Sequence, residues 1–173
     1  MSRPLDISYV ELGFGDIPEI QRVLVSCEDY FAETRGRSAQ ATEARTVFDE
    51  LPPGCSPTQK HVLGCRDAED RLVGAADVVE GWPDAETWMI GLLVVEPLSR
   101  GHGIGGSFVT GIATLARAAG ARRLRVGVFA HRPAVVRFWE QQGFAIVARM
   151  LRDEGLGERE LVVLVRELDP APA

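Results

Sequence analysis

The chain has little of what marks a membrane, metal or nucleic-acid protein. No apolar run in its 173 residues approaches the length needed to span a bilayer. The opening Met-Ser-Arg-Pro-Leu-Asp has no apolar core, so a secretory leader is not expected. Positive charge is not in excess. The 19 Lys and Arg face 25 Asp and Glu, a formal charge of −6, which gives no general electrostatic reason to bind nucleic acid or an anionic membrane. Cysteine is scarce: Cys27, Cys55 and Cys65 are odd in number and show no CxxC spacing. His61, His102 and His131 are widely separated and form no HxxxH or HxH pair. A disulfide framework and a recognisable metal site are therefore not expected, and a cytoplasmic protein without metal is.

What is present fits one globular domain spanning residues 1–173. The composition, 46% hydrophobic and 25% charged, is that of a chain able to bury a core without staples. Residues 7–12 read as a strand. Asp16 reads as the N-cap of a helix whose face is Ile17, Ile20, Leu24, Cys27 and Phe31. A loop over 34–40 and a short helix over 41–51 follow, stopped by Pro52-Pro53-Gly54. Residues 61–66 and 72–80 predict an antiparallel hairpin about the turn 67–70. The nearly all-apolar run 87–95 predicts a central strand, with Gly91 marking a bulge or a close backbone approach. A helix with Phe108, Ile112, Leu115, Ala116 and Ala119 on one face precedes a strand over 124–129. Pro133 opens a short helix with Val135, Val136 and Trp139 on one face, and strands over 144–150 and 161–165 complete the chain. The fold class is α+β: a mixed, mostly antiparallel central sheet flanked by helices.

The chemistry is concentrated in Val95-Glu96-Pro97-Leu98-Ser99-Arg100-Gly101-His102-Gly103-Ile104-Gly105-Gly106, between the central strand and an amphipathic helix. Glycines let the backbone turn tightly and aim successive N–H groups at one point. The helix start adds unpaired N–H groups and the positive end of its dipole. Arg100 adds a forked cation, and Glu96 is expected to cap the turn. The expected product is a phosphate or pyrophosphate pocket. It is not a Walker loop, because no lysine follows the glycines. The glycine spacing and the acid-free strand 124–128 also fail the dinucleotide-binding pattern.

Arg100-Gly-His-Gly103-Ile-Gly105 resembles the R/Q-x-x-G-x-G/A signature of the GNAT superfamily of N-acetyltransferases, and Phe138-Trp139-Glu140-Gln141-Gln142-Gly143-Phe144 resembles its F/L-Y-x-x-x-G-F segment. The two motifs are in register, with strand and helix between them. The resemblance implies that the loop, Arg100, Gly101, His102, Gly103, Ile104, Gly105 and Gly106, holds the pyrophosphate of acetyl-CoA, with His102 contributing its backbone. It implies that Leu93, Val94 and Val95 pair with the pantetheine arm, and that this strand and the next splay to admit the thioester. A primary amine of a small molecule or an exposed protein amine then attacks the acetyl carbonyl directly in a ternary complex.

Two positions depart from the family pattern. Trp139 stands where the family commonly has the tyrosine that protonates the departing thiolate, and an indole N–H is no proton donor of phenol strength. Trp139 is then either a core aromatic or a wall of the thiol end of the cavity. Arg132, or His131 if the register shifts by one, stands where an asparagine is often found, and Arg132 can instead reach a CoA phosphate. Tyr9 and Tyr30 match no family motif. For the general base the carboxylates on or before the central strand are Glu80 and Glu86, with Asp77 behind them. Glu86 is favoured because it enters the strand that carries the base in several members. The acceptor site is expected from the segments 34–40, 52–57 and 152–159, and a homodimer is compatible with the sheet. A second reading keeps the fold but makes it a CoA-binding regulatory domain with reduced catalysis.

Overall fold

The computed structural model describes residues 7–169. The tail 170–173, which its composition predicts to fray, lies outside the described residues. Seven strands form one sheet in the order β1-β2-β3-β4-β5-β7-β6. They are β1 (Ser8–Glu11), β2 (Lys60–Arg66), β3 (Leu72–Glu80), β4 (Thr87–Val95), β5 (Arg123–Phe129), β6 (Ala145–Asp153) and β7 (Glu158–Glu167). Every neighbouring pair is antiparallel except β4 and β5, which are parallel and joined by a helix, as a parallel crossover requires. The helices are α1 (Ile17–Ser26), α2 (Glu28–Arg35), α3 (Glu43–Asp49), α4 (Ile104–Ala118) and α5 (Pro133–Gln141).

The sheet is covered on both faces. On one, α4 and α5 place Phe108, Ile112 and Trp139 against Val78, Ile90 and Leu124. On the other, the N-terminal helices place Ile20, Leu24, Phe31 and Val47 against Val62, Ala75 and Val94. Burial explains why α4 is a helix despite three internal glycines. Each glycine costs up to about 1 kcal/mol of helix propensity. A large apolar side chain taken fully from water contributes about 1.5–3 kcal/mol, and Ile104, Phe108, Val109 and Ile112 are all buried.

Three expectations need correction. The helix predicted to run from Ile17 through Phe31 breaks at Cys27, whose ψ of 48° is not helical and whose Sγ donates to Val95 O at 3.6 Å. The apolar spacing concealed the break because Cys27 and Phe31 still point to the same core. Leu115 and Ala119 are exposed rather than buried on α4, their places taken by Val109 and Ala113. The charged loop predicted over 152–159 shrinks to four residues, because β6 and β7 extend into it. Every residue of β6 is exposed, so edge position rather than hydrophobicity sets its length.

Candidate active site

The parallel pair at the sheet centre is incomplete. β4 and β5 are in register only from Thr87 to Ile90 and from Arg123 to Val126, after which they diverge. Divergence begins at a bulge. Asp77 of β3 faces Leu92 and Val78 faces Ile90, leaving Gly91 as the extra residue of β4. Past it, the edges of β4 and β5 face each other unpaired, and backbone groups there need partners from elsewhere. A cavity of about 790 Å³ fills the split, toward the upper end of the range of small-molecule sites. Leu93, Val94 and Val95 line one side, Val126 to Phe129 the other, and Phe138 and Trp139 of α5 close part of the wall.

The mouth carries the glycine loop. Gly103 is the N-cap of α4 with φ +81°, and no side chain caps the helix. Gly101 has φ +79°, and a Cβ at either glycine would meet nothing within 4 Å. Conformation, not crowding, therefore demands glycine at these two positions. Gly105 and Gly106 have a different reason, since a Cβ there would come 3.3 Å from the Phe138 ring and 2.9 Å from Gln142 Oε1. These two let α5 approach α4. The uncapped helix start, Gly103 to Gly106, lies on the cavity wall, where its free N–H groups suit an anion.

The side chains of the predicted site are arranged differently from expectation. Arg100 lines the cavity, but its guanidinium is committed: Nη1 and Nη2 donate to Asp29 at 2.6 and 3.1 Å, and Nε donates to Val95 O at 2.8 Å. Hydrogen bonding from Arg100 holds the Asp29 carboxyl below its ordinary value. The carbonyl of Val95 is thus already occupied by Arg100 and Cys27. Arg132 also lines the cavity, but its Nε is hydrogen-bonded to Glu33 and its guanidinium lies 5.6 Å over the Tyr30 ring. His102 is exposed, with Nδ1 3.4 Å from Ser99 O, and is not on the cavity wall. Glu96 turns its buried carboxylate to Arg22 and to Arg71 at 3.2 Å, and its carbonyl accepts the Ser99 N–H, which closes the turn. Trp139 is 4% exposed and packs edge-on against Phe138 and Phe144 while lining the cavity. It is core and wall at once.

Glu86 does not join these residues. It pairs with Arg122 and Arg123 at 3.1 and 3.6 Å at the closed end of the β4–β5 pair, off the cavity wall. Glu80 faces His61 Nε2 at 3.2 Å, also away from the cavity.

Of the expected acceptor segments, 34–40 brings Thr34 and Arg35 to the cavity and 152–159 brings Arg152 and Glu154, whereas no residue of 52–57 lines it. What sequence reasoning missed is that α2 carries the first of these, with Asp29 and Tyr30 beside them on the cavity wall. The helix bridges the split, bound to the loop through Asp29–Arg100, to the start of α5 through Glu33–Arg132, and to β7 through Arg159, which donates to Glu33 O and Thr34 O at 3.2 and 2.8 Å. No motif marks these residues, because their partners lie about 70 to 125 positions away. Tyr30 is the tyrosine that reaches the cavity; burial raises its phenol, so it stays protonated at neutral pH.

A sheet parted at a parallel strand pair, with an uncapped helix start at the mouth of the gap, is suited to a ligand with an extended arm and an anionic end. The model of the Acetyltransferase (GNAT) family matches residues 24–144, and the chain belongs to that family. No curated relative matches the sequence. Among solved structures, an acetyltransferase from Thermus thermophilus is 24% identical, with 96% of this chain and 100% of that chain covered and a TM-score of 0.76. Spermidine N-acetyltransferase from Vibrio cholerae, in complex with CoA and spermine, is 12% identical over 94% and 95% of the two chains, with a TM-score of 0.75. The ribosomal-protein-S18-alanine N-acetyltransferase from Escherichia coli is 11% identical over 96% of each chain, with a TM-score of 0.71. The mixed, mostly antiparallel sheet flanked by helices is thus the fold of these acetyltransferases, as expected. No helix among the described residues is long and apolar enough to cross a membrane.

Proposed function

We propose that the protein transfers the acetyl group of acetyl-CoA to a primary amine of a small molecule, by direct attack while both substrates are bound. The observation that carries this reading is the split between β4 and β5. Its unpaired strand edges offer an extended amide chain the hydrogen bonds of an added strand, and it runs from the uncapped start of α4 to the bulge at Gly91. Pyrophosphate fits the first end and a thioester the second. Because Arg100 and Arg132 are held by Asp29 and Glu33, the anion is bound chiefly by backbone N–H groups. Leu93 and Val94 serve the pantetheine arm, while Val95 contributes less because its carbonyl is occupied.

Positioning supplies most of the rate in such a reaction. Two reactants held in line convert a bimolecular step into an effectively unimolecular one. A thiolate is a good leaving group, so Trp139 in place of a phenol is compatible with turnover. Calorimetric titration with acetyl-CoA, followed by thiol release with a panel of primary amines, tests the reading. Binding with turnover of at least one amine is expected. Binding with no turnover on any amine would instead indicate a CoA-responsive regulatory domain, and no binding would end both readings.

A further inference from the structure

We infer that Asp77 is the proton acceptor of this reaction, receiving the acceptor's ammonium through the gap that Gly91 leaves in β4; the inference rests on the acetyltransferase reading above. A chamber of about 50 Å³ lies behind the bulge and shares Tyr30, Arg35, Gly91 and Leu92 with the large cavity. It has room for an ammonium head but not for a whole substrate. Asp77 lines it, and its side chain is 13% exposed. A Cβ on Gly91 would come 3.1 Å from Asp77 Oδ2, so the absence of a side chain leaves the carboxylate facing Gly91, a residue that lines both the chamber and the split. On the other side of the carboxylate, the Lys60 ammonium lies 2.7 Å from Oδ1 and also donates to Glu50 O at 2.6 Å, so the oxygen left to a further donor is Oδ2, the one nearest Gly91. Lys60 is the only lysine of the chain, and its side chain is 5% exposed. A buried carboxylate with spare acceptor capacity beside a substrate cavity calls for a ligand.

The charged and titratable neighbours come from four directions: Lys60 on β2, Glu50 and Glu43 on and after α3, Arg35 and Tyr30 on α2, and the open split past β4. Burial pushes the Asp77 carboxyl up to about 6, with Lys60 opposing the rise and Glu50 adding to it. The group is therefore ionised at neutral pH, yet is a stronger base than an ordinary aspartate. In the step, Asp77 takes one proton from the ammonium, directly or through one water. The freed lone pair forms the C–N bond, the C–S bond breaks, and the sulfur leaves with its electron pair. The second nitrogen proton neutralises the thiolate, and Asp77 returns its own to solvent. Lys60 is a positioning residue that sets the basicity of Asp77.

The test compares wild type with Asp77→Asn, Gly91→Ala and Lys60→Met, using the best amine of the panel and, separately, hydroxylamine, whose nitrogen is unprotonated at neutral pH. Acetyl-CoA titration confirms that each variant keeps its donor site. Asp77→Asn should lower kcat for the ammonium acceptor by about 10²–10⁴-fold, leave the KM for acetyl-CoA unchanged, and lower the hydroxylamine rate less than about tenfold. Gly91→Ala should reproduce this loss. Lys60→Met should move the acid limb of the pH–rate profile upward, because the ammonium that favours the charged carboxyl is gone. Equal loss for both nucleophiles, no loss in Asp77→Asn, or an unmoved limb in Lys60→Met would overturn the assignment while leaving the acetyltransferase standing. A wild type that binds acetyl-CoA but acetylates nothing would overturn both.

Discussion

Gly103→Ala should cripple donor binding while leaving the fold intact, and Gly120→Ala supplies the control. Both glycines have positive φ, +81° and +87°, and a Cβ at either would meet no atom within 4 Å. The cost of alanine is therefore conformational at both sites, about 1–2 kcal/mol for an L-residue held in the left-handed region. They flank opposite ends of α4, a helix of 15 residues and so about 22 Å long at 1.5 Å per residue. At Gly103 the loop can relax in the free protein, and binding must restore the strained turn. Acetyl-CoA affinity should then weaken about 5- to 30-fold, the factor that 1–2 kcal/mol represents. At Gly120 the same strain has no ligand to report on. It should lower Tm by about 2–8 °C, given roughly 2–4 °C per kcal/mol in a domain of this size, with the acetyl-CoA Kd within about twofold of wild type. Calorimetric titration and thermal unfolding of the two variants are the assays. A Gly103→Ala protein that binds as tightly as wild type would refute the placement of the anion at this loop. Equal weakening in Gly120→Ala would show that the effect is general destabilisation.

Native protein should show one fast-reacting thiol with a disulfide reagent and three after denaturation. Cys55 is partly exposed, whereas Cys27 and Cys65 are buried, and burial pushes Cys65 up to about 11; three fast thiols would contradict the packing. Trp139→Ala should cost about 3–5 kcal/mol in urea unfolding, because the side chain is 4% exposed between Phe138 and Phe144; a loss under about 1 kcal/mol would argue against it as a core residue. The stability–pH profile carries the signature of Asp77. Its folded value is raised, so the stability it contributes is fully present below its unfolded value of about 4 and is lost as pH rises through about 6. The Tm of Asp77→Asn relative to wild type should accordingly increase from pH 4 to pH 7, and a flat difference would contradict a raised carboxyl.

How far the architecture was legible depended on what each element buries. β2, β3 and β4 are sheathed on both faces, so apolar runs and the turn at Asp67–Asp70 marked them closely. β6 is exposed at every residue, and its charged end, Arg152 and Asp153, read as loop. The glycine loop was legible because its chemistry is local: the glycines themselves make the turn. The proposed acceptor side was legible only in part: Asp77 stood among the candidate carboxylates, and Thr34, Arg35, Arg152 and Glu154 lie in the expected segments, but Asp29, Tyr30 and Lys60 join them only through β3–β4 register and the bridging of α2. Gly91 lay between these cases. Its bulge was signalled by a glycine inside an apolar strand, but the carboxylate that it uncovers sits on the neighbouring strand.

The ion pairs of α2 also bear on how an acidic protein would hold the phosphate-bearing donor proposed above. Arg100 and Arg132 stand at the mouth and wall of the cavity, and both are matched by carboxylates of one helix, Asp29 and Glu33. The guanidinium of Arg100 thus fastens α2 to the loop and holds Val95 O, rather than adding a free charge to the cavity. An ion pair with side chains 40% and 46% exposed contributes little to stability, about 0–1 kcal/mol. Its importance is geometric, because it sets where α2 crosses the split and so where Tyr30 and Arg35 meet the bulge. In the proposed reaction, anion binding would then fall to the N–H groups at the start of α4, where the positive-φ glycines shape the turn. Such a site depends on backbone geometry and not on the sign of the surface around it, which is why a formal charge of −6 is no obstacle to it.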